Sequence, residues 1–147
     1  MTEGAVSLPP NFLAGWIVVV IDDEDDSLGV IQHLLTYYGA EVHPATNGQE
    51  GFAAVLRVRP RFVICDLSMP VMDGWEFMIT MQNTPRTMHI PVIALTAHAM
   101  MRDRERAIQA GFYNYLTKPF TVKTFIHDLL AILTTVPELA ALLPEGL

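Results

Sequence analysis

The chain has 147 residues, a length that suits one domain with a single sizeable core. It is 51% apolar and only 17% charged, with a mean hydropathy of +0.31, which excludes a disordered segment; yet its longest pure apolar run, Trp16 to Ile21, is six residues and far too short for a helical membrane span. Sixteen acids against nine bases give a net charge of −7, which argues against nucleic acid as a direct ligand, and a lone cysteine, Cys65, excludes a disulfide framework or a cysteine zinc cluster.

Met1 to Gly15 contains Pro9 and Pro10, little periodicity and no basic region followed by an apolar one, so residues 1–15 read as a flexible leader of a cytoplasmic protein. Trp16–Ile21 is a β-branched run that stops at a block of acids, the pattern of a buried strand. Ser27–Tyr38 follows as a helix, with Leu28, Ile31, Leu34 and Leu35 on one face and Gly39 as its stop. Glu41–Ala45 is the second strand, and Asn47 caps a helix running to about Arg57, with Glu50 three residues on. Phe62–Cys65 is the third strand and ends at Asp66; beyond a Met-Pro-Val-Met-Asp-Gly loop, Trp75–Gln82 is helical. Ile90–Leu95 is the fourth strand, Arg102–Ala110 a helix stopped by Gly111, Tyr113–Leu116 the fifth strand and Thr121–Leu133 the last main helix. Residues 134–147 form a tail with two prolines and room for one extra turn.

Strands alternating with helices predict an α/β fold, a doubly wound five-stranded parallel sheet with helices on both faces. In such sheets the working crevice lies at the carboxyl ends of the strands. The residues there are Asp22 to Asp26 after the first strand, Asp66 after the third, Thr96 after the fourth, and Lys118-Pro119 after the fifth. Three carboxylates that converge without neutralisation favour a divalent cation, and an oxygen-only set without His or Cys suits Mg2+. The plainer reading of Asp22–Asp26, a solvated acidic helix start, divides the run: Asp25 and Asp26 serve the helix dipole, while Asp22 and Asp23 face the pocket.

Four segments lie in register along this edge: Val-Val-Ile-Asp-Asp-Glu (19–24), Cys-Asp-Leu-Ser-Met-Pro-Val-Met-Asp-Gly (65–74), Ala-Leu-Thr-Ala-His (94–98) and Tyr-Leu-Thr-Lys-Pro-Phe (115–120). In order and spacing they resemble the receiver domains of two-component response regulators, with the single-domain chemotaxis regulators and the receivers of hybrid kinases as similar forms. The resemblance covers residues 16–133 and implies a flavodoxin-like (βα)5 fold with strand order 2-1-3-4-5. It implies Asp66 as the phospho-acceptor, Asp22 and Asp23 as the acids that hold Mg2+ together with Asp66 and the Ser68 backbone carbonyl, and Lys118 as the partner of the phosphoryl group. Thr96 and Tyr115 take the switch positions, and Lys118–Pro119 is expected to be cis. Ser68 and His98 occupy variable positions flanking the hydrolytic water and are expected to tune the phosphoryl lifetime.

The resemblance further implies a histidine kinase or histidine phosphotransfer protein as donor, an unidentified downstream protein as target, and no catalysis beyond the chain's own phosphorylation and dephosphorylation. Neither nucleic acid nor membrane is an expected direct partner, and a homodimer would form through the face of helix four, strand five and helix five. Three competing readings stand beside this one. A degenerate receiver would bind protein without phosphate. A phosphohydrolase with Asp66 as nucleophile would want a second acid where Ser68 stands, and a flavin module would find its phosphate repelled by Asp22–Asp26. Cys65 reads as core, Met69, Met72, Met78 and Met81 as packing, and His33, His43, His89 and His127 as surface or helix-face residues without ligand spacing. Trp75 is placed to report on the pocket, and Arg102–Arg106 reads as a solvated helix face that could carry a partner. Fourteen residues after Leu133 are too few for a DNA-binding or catalytic domain, so output is expected through protein contacts, as a stand-alone regulator or as a piece of a longer chain.

Overall fold

The computed structural model describes residues 8–97 and 101–145. The elements run β1 (Ile17–Ile21), α1 (Asp25–Tyr37), β2 (Glu41–Ala45), α2 (Gly48–Val58), β3 (Phe62–Asp66), α3 (Gly74–Gln82), β4 (Val92–Thr96), α4 (Met101–Gln109), β5 (Asn114–Thr117), α5 (Val122–Leu133) and α6 (Pro137–Ala140). All strand pairs are parallel and the sheet order is β2-β1-β3-β4-β5, the flavodoxin-like order expected from the sequence. The chain reverses its direction of winding between β1 and β3, and the crevice that such a reversal opens lies beyond the carboxyl ends of those two strands.

Alternation along the strands divides the core into two layers. Val18, Val20, Ile64, Ile93 and Leu95 turn to one face, against Ile31 and Leu35 of α1 and Phe125 and Leu129 of α5. Val19, Ile21, Val63, Cys65 and Ala94 turn to the other, against Val55 of α2, Phe77 and Met81 of α3, and Ala107 of α4. The central strands β3 and β4 are buried at every position, which is why they read as apolar runs and not as alternations.

Local chemistry ends the helices. Asn47 accepts the Glu50 N–H at 2.9 Å at the start of α2, and the Glu50 carboxylate returns to the Thr46 hydroxyl at 3.1 Å. Asp73 and Glu76 form a reciprocal capping box at the start of α3, as Thr121 and Thr124 do for α5. Gly39, at φ 101°, takes the left-handed conformation after α1 that side-chain-bearing residues rarely adopt.

Two strand boundaries and the leader need correction. Strand four begins at Val92, because Ile90 is held in a turn by its N–H to the Thr87 carbonyl and Pro91 has no N–H; strand five is shifted one residue on, to Asn114–Thr117. The expected flexible leader is packed in its second half: Phe12 and Leu13 are buried, the Leu13 N–H donates to the Tyr38 carbonyl at 2.9 Å, and the Phe12 and Tyr38 rings lie 4.9 Å apart. The prolines remove helical periodicity there, but the turn over 10–15 still delivers two apolar side chains to the end of α1. In the tail, Val136 and Leu139 are buried through α6.

Candidate functional site

The acids gather because β1 and β3 are neighbours and both end at the same edge. Asp22 follows β1 directly and extends its ladder, donating its N–H to Ala45 at 3.0 Å; its side chain is fully buried. Asp23 beside it is exposed. Asp66 closes β3 and is almost buried. One oxygen from each of Asp22, Asp23 and Asp66 lies within 4.8 Å of the others, the one such three-carboxylate group among the described residues.

Lys118 arrives from the opposite edge strand. Its N–H donates to the Thr96 carbonyl at 2.8 Å, which ties the end of β5 to the end of β4, and the Lys118–Pro119 bond is cis as expected. The ammonium then reaches back over the crevice: Nζ donates to Asp66 Oδ2 at 2.8 Å and to Asp22 Oδ1 at 3.3 Å, and it also contacts Glu24 Oε1. Three carboxylates thus face one ammonium. Burial alone would lower the Lys118 pKa, but its hydrogen bonds to Asp66, Glu24 and Asp22 outweigh burial and hold it above the ordinary lysine range.

Asp22 shows the strain of this imbalance. Burial pushes its pKa up to about 6, with the Asp66 charge adding to the rise, against hydrogen bonds from the Glu24 N–H and Lys118. Its Oδ2 is buried and accepts no hydrogen bond; its one charged contact is the Lys118 ammonium, 3.0 Å away. A buried carboxylate oxygen without a donor, next to two further carboxylates, is the donor set of a hard cation.

The loop after β3 frames Asp66. The Ser68 N–H donates to Asp66 Oδ1 at 3.0 Å, so both Asp66 oxygens are held. Met72 N–H turns back to the Pro70 carbonyl at 2.7 Å around Val71, which sits at φ 67° with an exposed side chain. A β-branched residue there is strained by about 1–2 kcal/mol. Gly74 is required by close approach, since a Cβ on it would meet the Asp66 carbonyl oxygen and come within 2.8 Å of Leu67 Cα.

A cavity of about 600 Å3 opens over these groups, lined among others by Asp23, Asp66, Ser68, Trp75, Thr96 and Lys118. The structure therefore brings together Asp22, Asp23, Asp66, Ser68, Thr96 and Lys118. Tyr115 lies outside that cavity: it is half-buried, paired in register with Ala94, and carries the Arg104 guanidinium 4.7 Å above its ring. His98 lies outside the described residues. Cys65 points into the apolar layer as expected, and burial pushes its thiol pKa up, away from reactivity.

Glu24 is the residue that sequence reasoning missed. It sits in the acidic run, but only the fold brings it to an ammonium 94 positions later. The solvated reading of the α4 face is also incomplete. Arg104 covers Tyr115, and Arg106 lies 4.7 Å over the ring of Trp75, which packs edge-on against Phe112 at 5.8 Å.

The model of the response regulator receiver domain family matches residues 18–130. An uncharacterized 14.6 kDa protein of Leptolyngbya boryana is 37% identical over 107 residues, covering 73% of this chain and 82% of that protein. The polar-differentiation response regulator DivK of Brucella anthropi is 31% identical over 112 residues, 76% of this chain and 91% of DivK. The sensor histidine kinase CheAY of Helicobacter pylori is 30% identical over 82% of this chain, which spans only 15% of the kinase. Among solved structures, the chemotaxis response regulator CheY4 of Vibrio cholerae superposes with a TM-score of 0.76 at 28% identity, over 80% of this chain and 98% of that one. The receiver domain of the sensor histidine kinase PA1611 of Pseudomonas aeruginosa, a structure with a magnesium ion coordinated in its active-site cleft, gives 0.72 at 30% identity, over 80% and 97%.

Proposed function

The chain belongs to the response regulator receiver domain family, and from that membership we propose that Asp66 accepts a phosphoryl group from a phosphohistidine donor and that the modification changes a protein-binding face. Receiver domains are the phosphoryl-accepting modules of two-component systems; they bind Mg2+ in an acidic pocket and imply a histidine kinase or phosphotransfer partner. The observation that carries the proposal is the pairing of Asp66 Oδ2 with Lys118 Nζ at 2.8 Å inside a three-carboxylate cluster.

The donor set fits a cation on the evidence of the buried Asp22 Oδ2, which accepts no hydrogen bond and stands beside the Asp23 and Asp66 carboxylates. Asp22, Asp23 and Asp66 would hold Mg2+, with the Ser68 carbonyl as a further ligand. When bound, the ion supplies charge neutralisation for the carboxylates and the phosphoryl oxygens.

The chain's own groups do the rest. An Asp66 carboxylate oxygen attacks phosphorus in line, the P–N bond to the donor imidazole breaks, and its electron pair stays on the ring nitrogen. Lys118 exchanges its hydrogen bond from Asp66 Oδ2 to a phosphoryl oxygen, so the ammonium is in place before charge moves. Thr96 closes on a second phosphoryl oxygen, Tyr115 turns into the space this leaves, and the α4–β5–α5 face is rearranged for a downstream protein or a second copy. Ser68 and His98 set how fast water removes the phosphoryl group. Among the described residues no helix is long and apolar enough to cross a membrane.

Transfer from a phosphorylated histidine kinase domain tests the proposal. The expected result is a hydroxylamine-labile phosphoprotein band with wild type and none with Asp66→Asn. A label on Asp66→Asn, or one that resists hydroxylamine, would overturn it.

A further inference from the structure

The opposite pole of the sheet carries the reverse charge. At the amino ends of β3 and β4, about 17 Å from the acidic crevice by the length of a five-residue strand, a groove of about 560 Å3 is lined by Arg59, Arg61, Arg86 and His89. Glu138 is the single carboxylate among its lining residues. Three of the nine Lys and Arg side chains of a chain with net charge −7 therefore share one cavity.

Among the described residues these guanidiniums form no ion pair; every ion pair there involves His43 or Lys118. By contrast, Arg104 and Arg106 on α4 each cover an aromatic ring. Arg59 moreover caps α2 in the left-handed conformation, φ 49° and ψ 69°, where glycine is the residue favoured by sterics. Strain of this kind, on a side chain that lines a cavity, points to a use for that side chain.

Three exposed guanidiniums line one groove, and the guanidinium fork matches phosphoryl oxygens two at a time. Ile90 and Leu139 give the groove an apolar floor, and its volume falls within the range of small-molecule sites. We propose that this groove binds a small phosphorylated compound, its phosphates on the arginines, its organic body on the Ile90–Leu139 floor and its polar edge on Glu138.

The test is an NMR titration of the full chain in EDTA, which keeps divalent metal out of the acidic crevice, with ADP and with inorganic pyrophosphate as probes. Saturable shifts are expected at 59–61 and 86–91 with ADP. In Arg61→Gln/Arg86→Gln affinity should fall at least about tenfold, while the urea midpoint and acetyl phosphate labelling of Asp66 stay unchanged. Tighter binding of ADP than of pyrophosphate upholds the proposal, and ADP binding no tighter than pyrophosphate overturns the role of the Ile90–Leu139 floor and with it the proposal. Absence of saturable shifts, shifts that persist in the double variant, or shifts confined to the crevice at Asp66 would each overturn the proposal.

Discussion

Lys118 Nζ donates to Asp66 Oδ2 at 2.8 Å across a sheet edge, joining residues 52 positions apart in the chain, and the same ammonium serves Asp22 and Glu24. It is the only cation in contact with these carboxylates among the described residues. Lys118→Ala leaves Asp22 and Asp66 facing each other with no counter-charge. We expect a loss of about 3 kcal/mol, read from urea unfolding at pH 7 in EDTA. Asp66→Asn removes repulsion instead, and its urea midpoint should equal or exceed that of wild type.

The raised pKa of Asp22 makes the metal-free protein sensitive to pH. Its folded value, about 6, exceeds its ordinary 3.8, so between those values the folded state holds a proton that the unfolded state has lost. Stability therefore falls as pH rises from about 4 to about 6, and then levels off. Urea midpoints taken across this window in EDTA should decline for wild type and flatten for Asp22→Asn.

Addition of Mg2+ should counter that decline. A ligand that binds only the folded state stabilises it by about 2.7 kcal/mol at one hundred times its dissociation constant. The gain should appear in wild type and vanish in Asp23→Ala, whose exposed side chain has no packing role. Below pH 6 the same Mg2+ concentration should stabilise less, because Asp22 must lose its proton to bind.

Trp75 should report on the crevice. It lines the cavity over Asp66 and lies beneath the Arg106 guanidinium, whereas Trp16 is buried against Phe62, in the other layer. Beryllofluoride with Mg2+ should change the tryptophan emission of wild type, and Trp75→Phe should abolish the change. Arg106→Ala should alter the resting emission while costing under about 1 kcal/mol of stability, the usual size of an exposed cation–π contact.

Gly74→Ala should show how closely α3 is seated on the end of β3. The new methyl would meet the Asp66 carbonyl and Leu67 backbone, which cannot swing aside as a flexible side chain would. We expect a loss of about 2–3 kcal/mol in urea unfolding together with weaker Mg2+ stabilisation.

The fold was legible because the strands are short, the central ones are buried, and β1, β3, β4 and β5 run into a polar or charged residue at the carboxyl end. Asp22, Asp66, Thr96 and Lys118 all stand at such ends, and one topology brings the ends together. Asn47 was legible as a cap because its partner Glu50 is three residues away. What escaped depends on contacts distant in sequence or without periodicity. Glu24 has no local feature that separates it from Asp25 and Asp26. Phe12 and Leu13 enter the core from a turn after two prolines, and Arg104 and Arg106 look like any solvated arginines until β5 and α3 place aromatic rings beneath them.

Intact mass after incubation with acetyl phosphate tests the central claim most directly, comparing wild type with Asp66→Asn, each with Mg2+ and with EDTA. The account predicts one added phosphoryl group on wild type with Mg2+ and none in the other three samples. An unmodified wild type, with beryllofluoride also leaving Trp75 emission unchanged, would contradict it and leave a receiver fold that binds its partners without phosphate.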